Sequence, residues 1–265
     1  MNTHTLEEPI LRDIISRVHV ALPVRKITPR FLEMIEKYRI NLEIGLDHYN
    51  LDAYPREHFR ELGARLRDYG ISMTVHAPFH ELFLGAPDRI VRQAALDRMD
   101  HAFGILPFFK PVTVVVHLNY EIRRFGFVYD EWKPLALSAL REYAGRAAAL
   151  GAMLALENVY EETPDVMNEI LNELSPLGVC HCCDVGHVQA FSDCTLAEWL
   201  SANGKFVRQF HLHDNDGTGD SHSPIGSGTI DFSLVRELIA GMDASPVITL
   251  EPHCEEHLWL SLIHI

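Results

Sequence analysis

The sequence lacks any apolar run that approaches the roughly 18 residues a membrane-spanning helix needs, and its mean hydropathy is near zero. The first ten residues, MNTHTLEEPI, contain neither a basic segment nor the apolar segment that follows one in a signal peptide. These absences predict a protein with no membrane-spanning segment, and we expect a cytoplasmic location.

Positive charge is also scarce. The 23 lysines and arginines are outnumbered by 37 aspartates and glutamates, which gives a formal net charge of −14. Proteins that bind DNA usually present a basic face, because contacts to phosphates supply much of their affinity. The composition therefore argues against a nucleic-acid partner and favours a small-molecule substrate.

Cysteines are few and odd in number. There are five, and three of them lie within four residues at Cys180, Cys182 and Cys183. This is not the pattern of a disulfide framework. The segment Cys180–Cys183, with His181, resembles a zinc motif, but alternate residues of a strand face opposite sides. Its members cannot converge on one ion, so we interpret them as core residues.

Short, mostly apolar runs recur along the chain and alternate with amphipathic stretches. Such runs are typical of parallel strands that are buried on both faces. They predict a single (β/α)₈ barrel, a TIM barrel, over residues 1–265 with its active site at the C-terminal ends of the strands. An open doubly wound sheet is the alternative, but its GxGxxG phosphate turn is missing. The eight candidate strands are Arg17–Leu22, Asn41–Leu46, Ser72–His76, Val112–His117, Met153–Glu157, Val179–Asp184, Phe206–His213 and Val247–Glu251.

Helix signals fall between these strands. Thr28-Pro29 has the form of an N-cap followed by proline at the first helical position, and Gly70 and Gly151 are candidate C-terminal glycines. The candidate helices are Thr28–Lys37, Pro55–Tyr69, Asp88–Ile105, Asp130–Leu150, Thr163–Glu173, Thr195–Ser201, Asp231–Gly241 and Glu255–Ile263.

Most of the later strands are apolar until a final histidine, aspartate or glutamate. Imidazole and carboxylate groups are the ligands of Zn²⁺, Mn²⁺ and similar ions, and burying several carboxylates together without cations would be costly. The pattern predicts a site for divalent metal ions. The candidate ligands, at strand ends or in the loops that follow, are His76, His117, Glu157, Asp184, His187, His211, Asp220, His222 and Glu251.

Other polar residues near the strand ends have alternative or supporting roles. His213 lies on the same strand face as His211 and is predicted to bind either substrate or metal. Gly226-Ser227-Gly228 has the composition of a backbone nest for an anion, which makes Ser227 a candidate substrate contact, although an ordinary loop is the alternative. We interpret the remaining residues of this kind as structural or supporting: His19, Glu43, His48, His80 and His253.

Two segments together carry a family likeness: HLHDNDGTGDSHSPIGSGTIDF and, further on, LEPH. With the strand-end residues from His76 to Glu251, they resemble the xylose-isomerase-like barrel superfamily and, within it, the endonuclease IV-like group (AP endonuclease family 2). That resemblance implies up to three ions per chain. The implied ligand sets are His76, His117 and Glu157 for one ion; Glu157, Asp184, His211 and Glu251 for a second; and His187, Asp220 and His222 for a third.

The resemblance implies metal-dependent hydrolysis of a phosphodiester in a small substrate, with Glu157 orienting the nucleophile. Some phrases, such as LENVYEE, are also similar to cobamide-remodelling phosphodiesterases, which cleave the nucleotide loop of corrinoids. The alternative is a sugar or sugar-phosphate isomerase or epimerase, in which Glu157 and Glu251 move a proton and His187 holds a substrate oxygen. A barrel that only buffers metal is a third, non-catalytic possibility.

Overall fold

Eight parallel strands form a closed barrel in the computed structural model, which describes residues 8–264. The strands pair in sequence order and the eighth pairs with the first, so the predicted (β/α)₈ fold is confirmed. The wider prediction of one domain over 1–265 includes residues 1–7 and 265, which lie outside the described part. The strands are β1 His19–Pro23, β2 Asn41–Gly45, β3 Met73–His76, β4 Thr113–His117, β5 Met153–Glu157, β6 Cys180–Asp184, β7 Val207–Leu212 and β8 Val247–Leu250.

Helices fill the connections and surround the barrel. Local signals fix several of their ends: the Thr28 side chain accepts from the Phe31 amide, Asp88 accepts from two amides, and Thr195 forms a capping box with Glu198. The helices are α1 Glu8–Arg17, α2 Pro29–Tyr38, α3 His48–Ala53, α4 Arg56–Asp68, α5 Arg89–Phe109, α6 Ile122–Phe125, α7 Tyr129–Ala149, α8 Asp165–Leu174, α9 Val185–Phe191, α10 Leu196–Asn203, α11 Phe232–Ala240 and α12 Glu255–His264.

The predicted elements differ from the structure mainly at their ends. Arg17 closes a helix instead of opening β1, and Phe206 lies in a 3₁₀ turn before β7. His213 and Glu251 lie just beyond their strands, since the barrel ladder ends at Leu212 and Leu250. The predictions missed α1, α3, α6 and α9. Three of these have only four to seven residues, too few to show a helical period.

The cysteine-rich strand β6 packs as predicted. Cys180 and Cys182 face the barrel interior with Val115 and Ala155, while Cys183 joins the core between strands and helices. His181 faces Asn158 instead of its cysteine neighbours. All five cysteines are free, and burial raises the pKa of the Cys182 thiol well above its usual value. The four residues therefore do not form a zinc site of their own.

The strand register aligns the polar strand ends at one rim of the barrel. His117 is paired with Glu157 across β4 and β5, and Asp184 with His211 across β6 and β7. The C-terminal ends of neighbouring strands thus present their last side chains at the same height. In the part of the chain that the structure describes, no helix is long and apolar enough to cross a membrane.

Candidate metal centre

All nine predicted metal ligands meet at the C-terminal rim of the barrel, where they form three adjacent groups. The central group surrounds Nδ1 of His211. This nitrogen lies 3.2 Å from Oε1 of Glu157, 3.2 Å from Oε1 of Glu251 and 3.9 Å from Oδ2 of Asp184. His211 and Asp184 are fully buried, and Glu157 is 1% exposed. Carboxylate oxygens from β5, from β6 and from the residue after β8 therefore lie within 3.9 Å of one nitrogen on β7.

The second group uses the other oxygen of Glu157. Oε2 lies 3.0 Å from Nε2 of His76 and 3.0 Å from Nε2 of His117, and these two nitrogens are 3.2 Å apart. The three atoms form a compact triangle. Glu157 thus faces the central group with one oxygen and the second group with the other.

The third group lies on the loop side of the rim. Oδ2 of Asp220 is 3.1 Å from Nε2 of His222 and 3.4 Å from Nε2 of His187. Asp220 and His222 come from the segment after β7, and His187 from α9. The two candidate ligands in the loop, Asp220 and His222, therefore lie beside His187, the candidate ligand in α9.

His213 lies next to this third group. Its ring stacks on that of His222, with centroids 3.8 Å apart and planes 8° apart. Nε2 of His213 lies 3.2 Å from Oδ1 of Asp184 and 3.6 Å from Oδ1 of Asp220. One donor atom of each of His187, His213, Asp220 and His222 lies within 4.8 Å of the others. His213 is therefore placed as a further candidate ligand of this group, and its two alternative roles, metal ligand or substrate contact, stay predictions.

The donor atoms fit divalent ions in two respects. A tetrahedral ion with ligand distances of about 2.0–2.2 Å has ligand atoms about 3.3–3.6 Å apart, and the separations given above for the three groups are 3.0–3.9 Å. Some polar atoms of these residues are also buried without a hydrogen-bond partner: Oδ2 of Asp184, Nδ1 of His211 and Oδ1 of Asp220. Such atoms are costly unless something binds them. The residues present therefore fit bound metal ions.

The charges of the candidate ligands shift one another's pKa values. Burial alone would lower the pKa of His76, but the hydrogen bond and charge of Glu157 raise it to about 9. Burial opposes protonation of His187 as well, yet the carboxylates around it, Asp184 first among them, raise its pKa to about 10. Burial would raise the pKa of Asp184, and the neighbouring histidines lower it to about 2. Without ions, positive charge on protonated histidines offsets the negative charge of the carboxylates. Metal ions would supply that positive charge in place of the protons.

Backbone carbonyls fix the orientation of three histidine rings. Nδ1 of His76 lies 2.8 Å from the Ala77 carbonyl oxygen, Nδ1 of His187 lies 2.9 Å from that of Asn158, and Nδ1 of His222 lies 3.0 Å from that of Glu251. A carbonyl oxygen only accepts, so each Nδ1 carries the proton and each Nε2 is left for the centre.

His211 is the exception, and the buried carboxylate of Glu43 explains it. Nε2 of His211 lies 3.0 Å from Oε1 of Glu43 and 3.2 Å from Nε2 of Gln209, and Nδ1 faces the central group. Oε2 of Glu43 accepts from the hydroxyls of Thr74 and Thr249 and from the amide of Gln209. The sequence interpretation left Glu43 among the supporting residues. Its contact with a ligand histidine gives it a definite task, that of setting which nitrogen of His211 faces the centre.

Asn158 holds two neighbouring ligands in place. Its side chain accepts from the Asp184 amide and donates to the Asp184 carbonyl, and its backbone carbonyl contacts His187. It follows Glu157 directly in the sequence. Its position beside a candidate ligand is the only signal that the sequence offered for it.

The loop after β7 is organised by Asp214, not by a bound anion. The buried carboxylate of Asp214 accepts from the amides of Gly226, Gly228 and Ile230. A side chain on Gly228 would meet this carboxylate at 2.3 Å, so glycine is required there. The nest predicted to cradle phosphate is thus already filled by the chain's own carboxylate. Ser227 is exposed, its hydroxyl contacts Pro224, and the structure does not bring it to the ligands.

A cavity of about 940 Å³ opens above the ligands. Its floor includes His76, His117, Glu157 and Glu251, and its walls come from the loops after the first three strands and from the residues after β5. His48, His80 and His253 line it as well, whereas His19 lies at the start of β1 and contacts Ser72.

Buried imidazoles and carboxylates at the C-terminal rim of a (β/α)₈ barrel define a class of metal-binding barrels whose active sites lie at this rim. The chain belongs to the Xylose isomerase-like TIM barrel family, whose profile matches residues 32–262. The resemblance drawn from the sequence motifs is thereby confirmed at the level of the family.

The chain is also similar to individual proteins. The uncharacterized protein MJ1614 of Methanocaldococcus jannaschii is 26% identical over 83% of this chain and 84% of its own length, and MJ1311 of the same organism is 29% identical over 70% of this chain and 66% of its own length. Among solved structures, a D-tagatose 3-epimerase-like protein superimposes with a TM-score of 0.78 at 22% identity, over 94% of both chains. The TTHB071 protein of Thermus thermophilus, whose crystals were soaked with ZnCl₂, gives a TM-score of 0.75 at 25% identity, over 94% of this chain and 96% of that protein.

Proposed function

We propose that the rim binds divalent ions and that the protein hydrolyses a phosphoester in a small-molecule substrate. The observation that carries the proposal is the orientation of Glu157, whose two oxygens face two different ligand groups at 3.0–3.2 Å. A carboxylate shared in this way is typical of centres with more than one ion, which are common in enzymes that displace a group at phosphorus. Ions held there would supply Lewis acidity, neutralise phosphate charge and lower the pKa of water.

The chain's own residues have distinct tasks in this proposal. Glu157, Asp184 and Glu251 supply most of the negative charge that would hold the ions. His187 and His222, on the outer side, stand where a substrate oxygen enters from the cavity. Phe79 stacks on His117 with ring centroids 4.4 Å apart and screens that ligand from water. The reacting group would thus be held between buried carboxylates below and histidines at the edge.

Isomerisation or epimerisation of a sugar or sugar phosphate is the second candidate, and the comparisons favour it over hydrolysis. Solved structures with this fold include proteins named as D-tagatose 3-epimerase-like, D-psicose 3-epimerase and L-ribulose 3-epimerase. The central group is complete by itself for a single ion, with Glu157 and Glu251 both 3.2 Å from His211. Two carboxylates placed beside one ion are suited to moving a proton to and from a substrate carbon. The second and third groups would then be unneeded.

Metal stoichiometry and the variant Glu157→Gln separate the two candidates. Under the hydrolase proposal the protein holds more than one ion, and the amide cannot serve as an anionic bridge, so at least two sites lose occupancy. Under the isomerase candidate one ion remains near its normal occupancy, and exchange of a substrate carbon-bound proton stops.

The assays are ion content per chain, cleavage of small phosphodiesters including corrinoids, and solvent deuterium uptake into ketoses. One ion per chain with deuterium uptake and no diester cleavage would overturn the hydrolase proposal. Zinc or manganese as the ion, a small-molecule substrate in place of DNA, and a cytoplasmic location stay predictions.

A further inference from the structure

Large hydrophobic side chains around the opening of the cavity above the ligands, called here its apolar wall, are in contact with water. Four large hydrophobic side chains line it while strongly exposed: Tyr49 is 64% exposed, Ile90 72%, Val91 43% and Tyr160 44%. Exposed apolar residues scattered singly over a surface need no explanation, but a group of them around one opening marks a binding site. The group lies where a substrate would enter.

Aromatic rings connect part of this wall to the candidate ligands. Phe79, which also lines the cavity, stacks on His117, and Phe191 lies 5.9 Å from the ring of His187 and 5.3 Å from that of Tyr160. Tyr49 lies in the first turn of α3 and Ile90 in the first turn of α5, and these helices are tied together by the ion pair of Asp52 and Arg98. Tyr160 is thus linked to a candidate ligand through Phe191, and Tyr49 and Ile90 lie on two helices that are held together.

The two arginines that line the cavity are already paired with carboxylates. Arg25 pairs with Asp47, and Arg98 lies 2.6 Å from Asp52. Each cation is neutralised by a neighbouring carboxylate, so the wall does not offer a free positive charge to a second anionic group. Its chemistry suits apolar surface, and its tyrosine and phenylalanine rings suit a flat partner.

We propose that the substrate carries a large, flat, mainly apolar group beside its reacting centre, and that this wall binds that group. The inference rests on the proposed function for the position of the reacting centre. A cavity of about 940 Å³ is near the upper end of the range of roughly 300–1,000 Å³ seen for pockets that enclose drug-sized ligands. A simple sugar phosphate would leave Tyr49 and Ile90 in contact with water.

The test measures equilibrium binding to the metal-loaded protein with two pairs of probes. One pair is methylphosphonate and naphthylmethylphosphonate, and the other is methyl glucoside and naphthyl glucoside. Within at least one pair the naphthyl member should bind at least ~10-fold more tightly, because it buries aromatic surface against the wall. The double variant Tyr49→Ser/Ile90→Ser should bring that ratio close to one.

The matched control is Leu177→Ser, which alters a hydrophobic residue that is 50% exposed and does not line the cavity; it should leave the ratio unchanged. Equal affinities within both pairs, no measurable binding of either naphthyl probe, or a ratio that survives in the double variant would overturn the proposal. A preference seen only in the glucoside pair would support the wall while counting against phosphoester hydrolysis, so the two proposals can fail separately.

Discussion

Glu43→Gln should invert the hydrogen bonding of His211 without changing the shape of the core. Oε2 of Glu43 accepts from three donors, on Thr74, Gln209 and Thr249. The amide oxygen of a glutamine must take that place, which leaves its NH₂ group facing Nε2 of His211. Nε2 must then accept, so the neutral ring carries its proton on Nδ1. That nitrogen is the one that faces Glu157 and Glu251.

The change should weaken metal binding at the central group while the other groups keep theirs. Loss of a carboxylate that orients a ligand histidine typically costs 10–100-fold in metal affinity, and inversion of the tautomer places this case near 100-fold, or about 2.7 kcal/mol. Chelator competition on the metal-stripped protein measures the affinity. The visible spectrum of bound Co²⁺ reports whether the central coordination changes.

Glu161→Gln provides the matched control, because Glu161 is also a buried glutamate but is not a candidate ligand and does not contact His211. Burial raises the pKa of Glu161 to about 7, so a neutral amide there changes little. If Glu43→Gln binds metal with native affinity and an unchanged Co²⁺ spectrum, Glu43 does not orient His211. If that variant fails to fold, Thr249→Val, which removes a single donor to Glu43, should show a smaller loss in the same assay.

Three further predictions concern the loop, the protons and DNA. Asp214→Asn places an NH₂ group against amides of the 226–230 loop whichever way the side chain turns. The free energy of unfolding, measured in denaturant, should fall by about 3 kcal/mol, and the ion content per chain should fall by one. Native stability together with native ion content would refute this role of Asp214. Because the pKa values of His76 and His187 are raised to about 9 and 10, zinc must displace protons from both rings at pH 7. Calorimetry in buffers of different ionisation enthalpy should show this proton release, and zinc affinity should rise with pH up to about 10. A zinc affinity that does not depend on pH would contradict the assignment. Duplex DNA containing abasic sites should bind weakly at physiological salt because of the net charge of −14, and sub-micromolar, salt-sensitive binding in an anisotropy titration would restore DNA as a partner.

The barrel was predictable because parallel strands buried on both faces must be apolar almost throughout. A histidine or carboxylate at the end of such a strand is therefore conspicuous, as His117 and Glu157 are. The six candidate ligands at or next to strand ends followed from one topological fact, that parallel strands place their C-terminal ends at the same rim; His187, Asp220 and His222 lie in a helix and a loop, and the family resemblance added them to the ligand sets. Short helices such as His48–Ala53 escaped prediction, because one or two turns leave no periodic pattern to recognise.

Tertiary structure alone decided how these residues are used. Glu43 lies in the middle of an apolar strand, and nothing in its neighbours along the chain shows that it meets His211, 168 positions later. The glycine-rich segment around Ser227 has the composition of an anion nest, but only the fold shows that Asp214 already occupies it. The sequence by itself determined which side chains end the strands. Which atoms face one another depends on contacts between distant segments, and local sequence carries no record of those contacts.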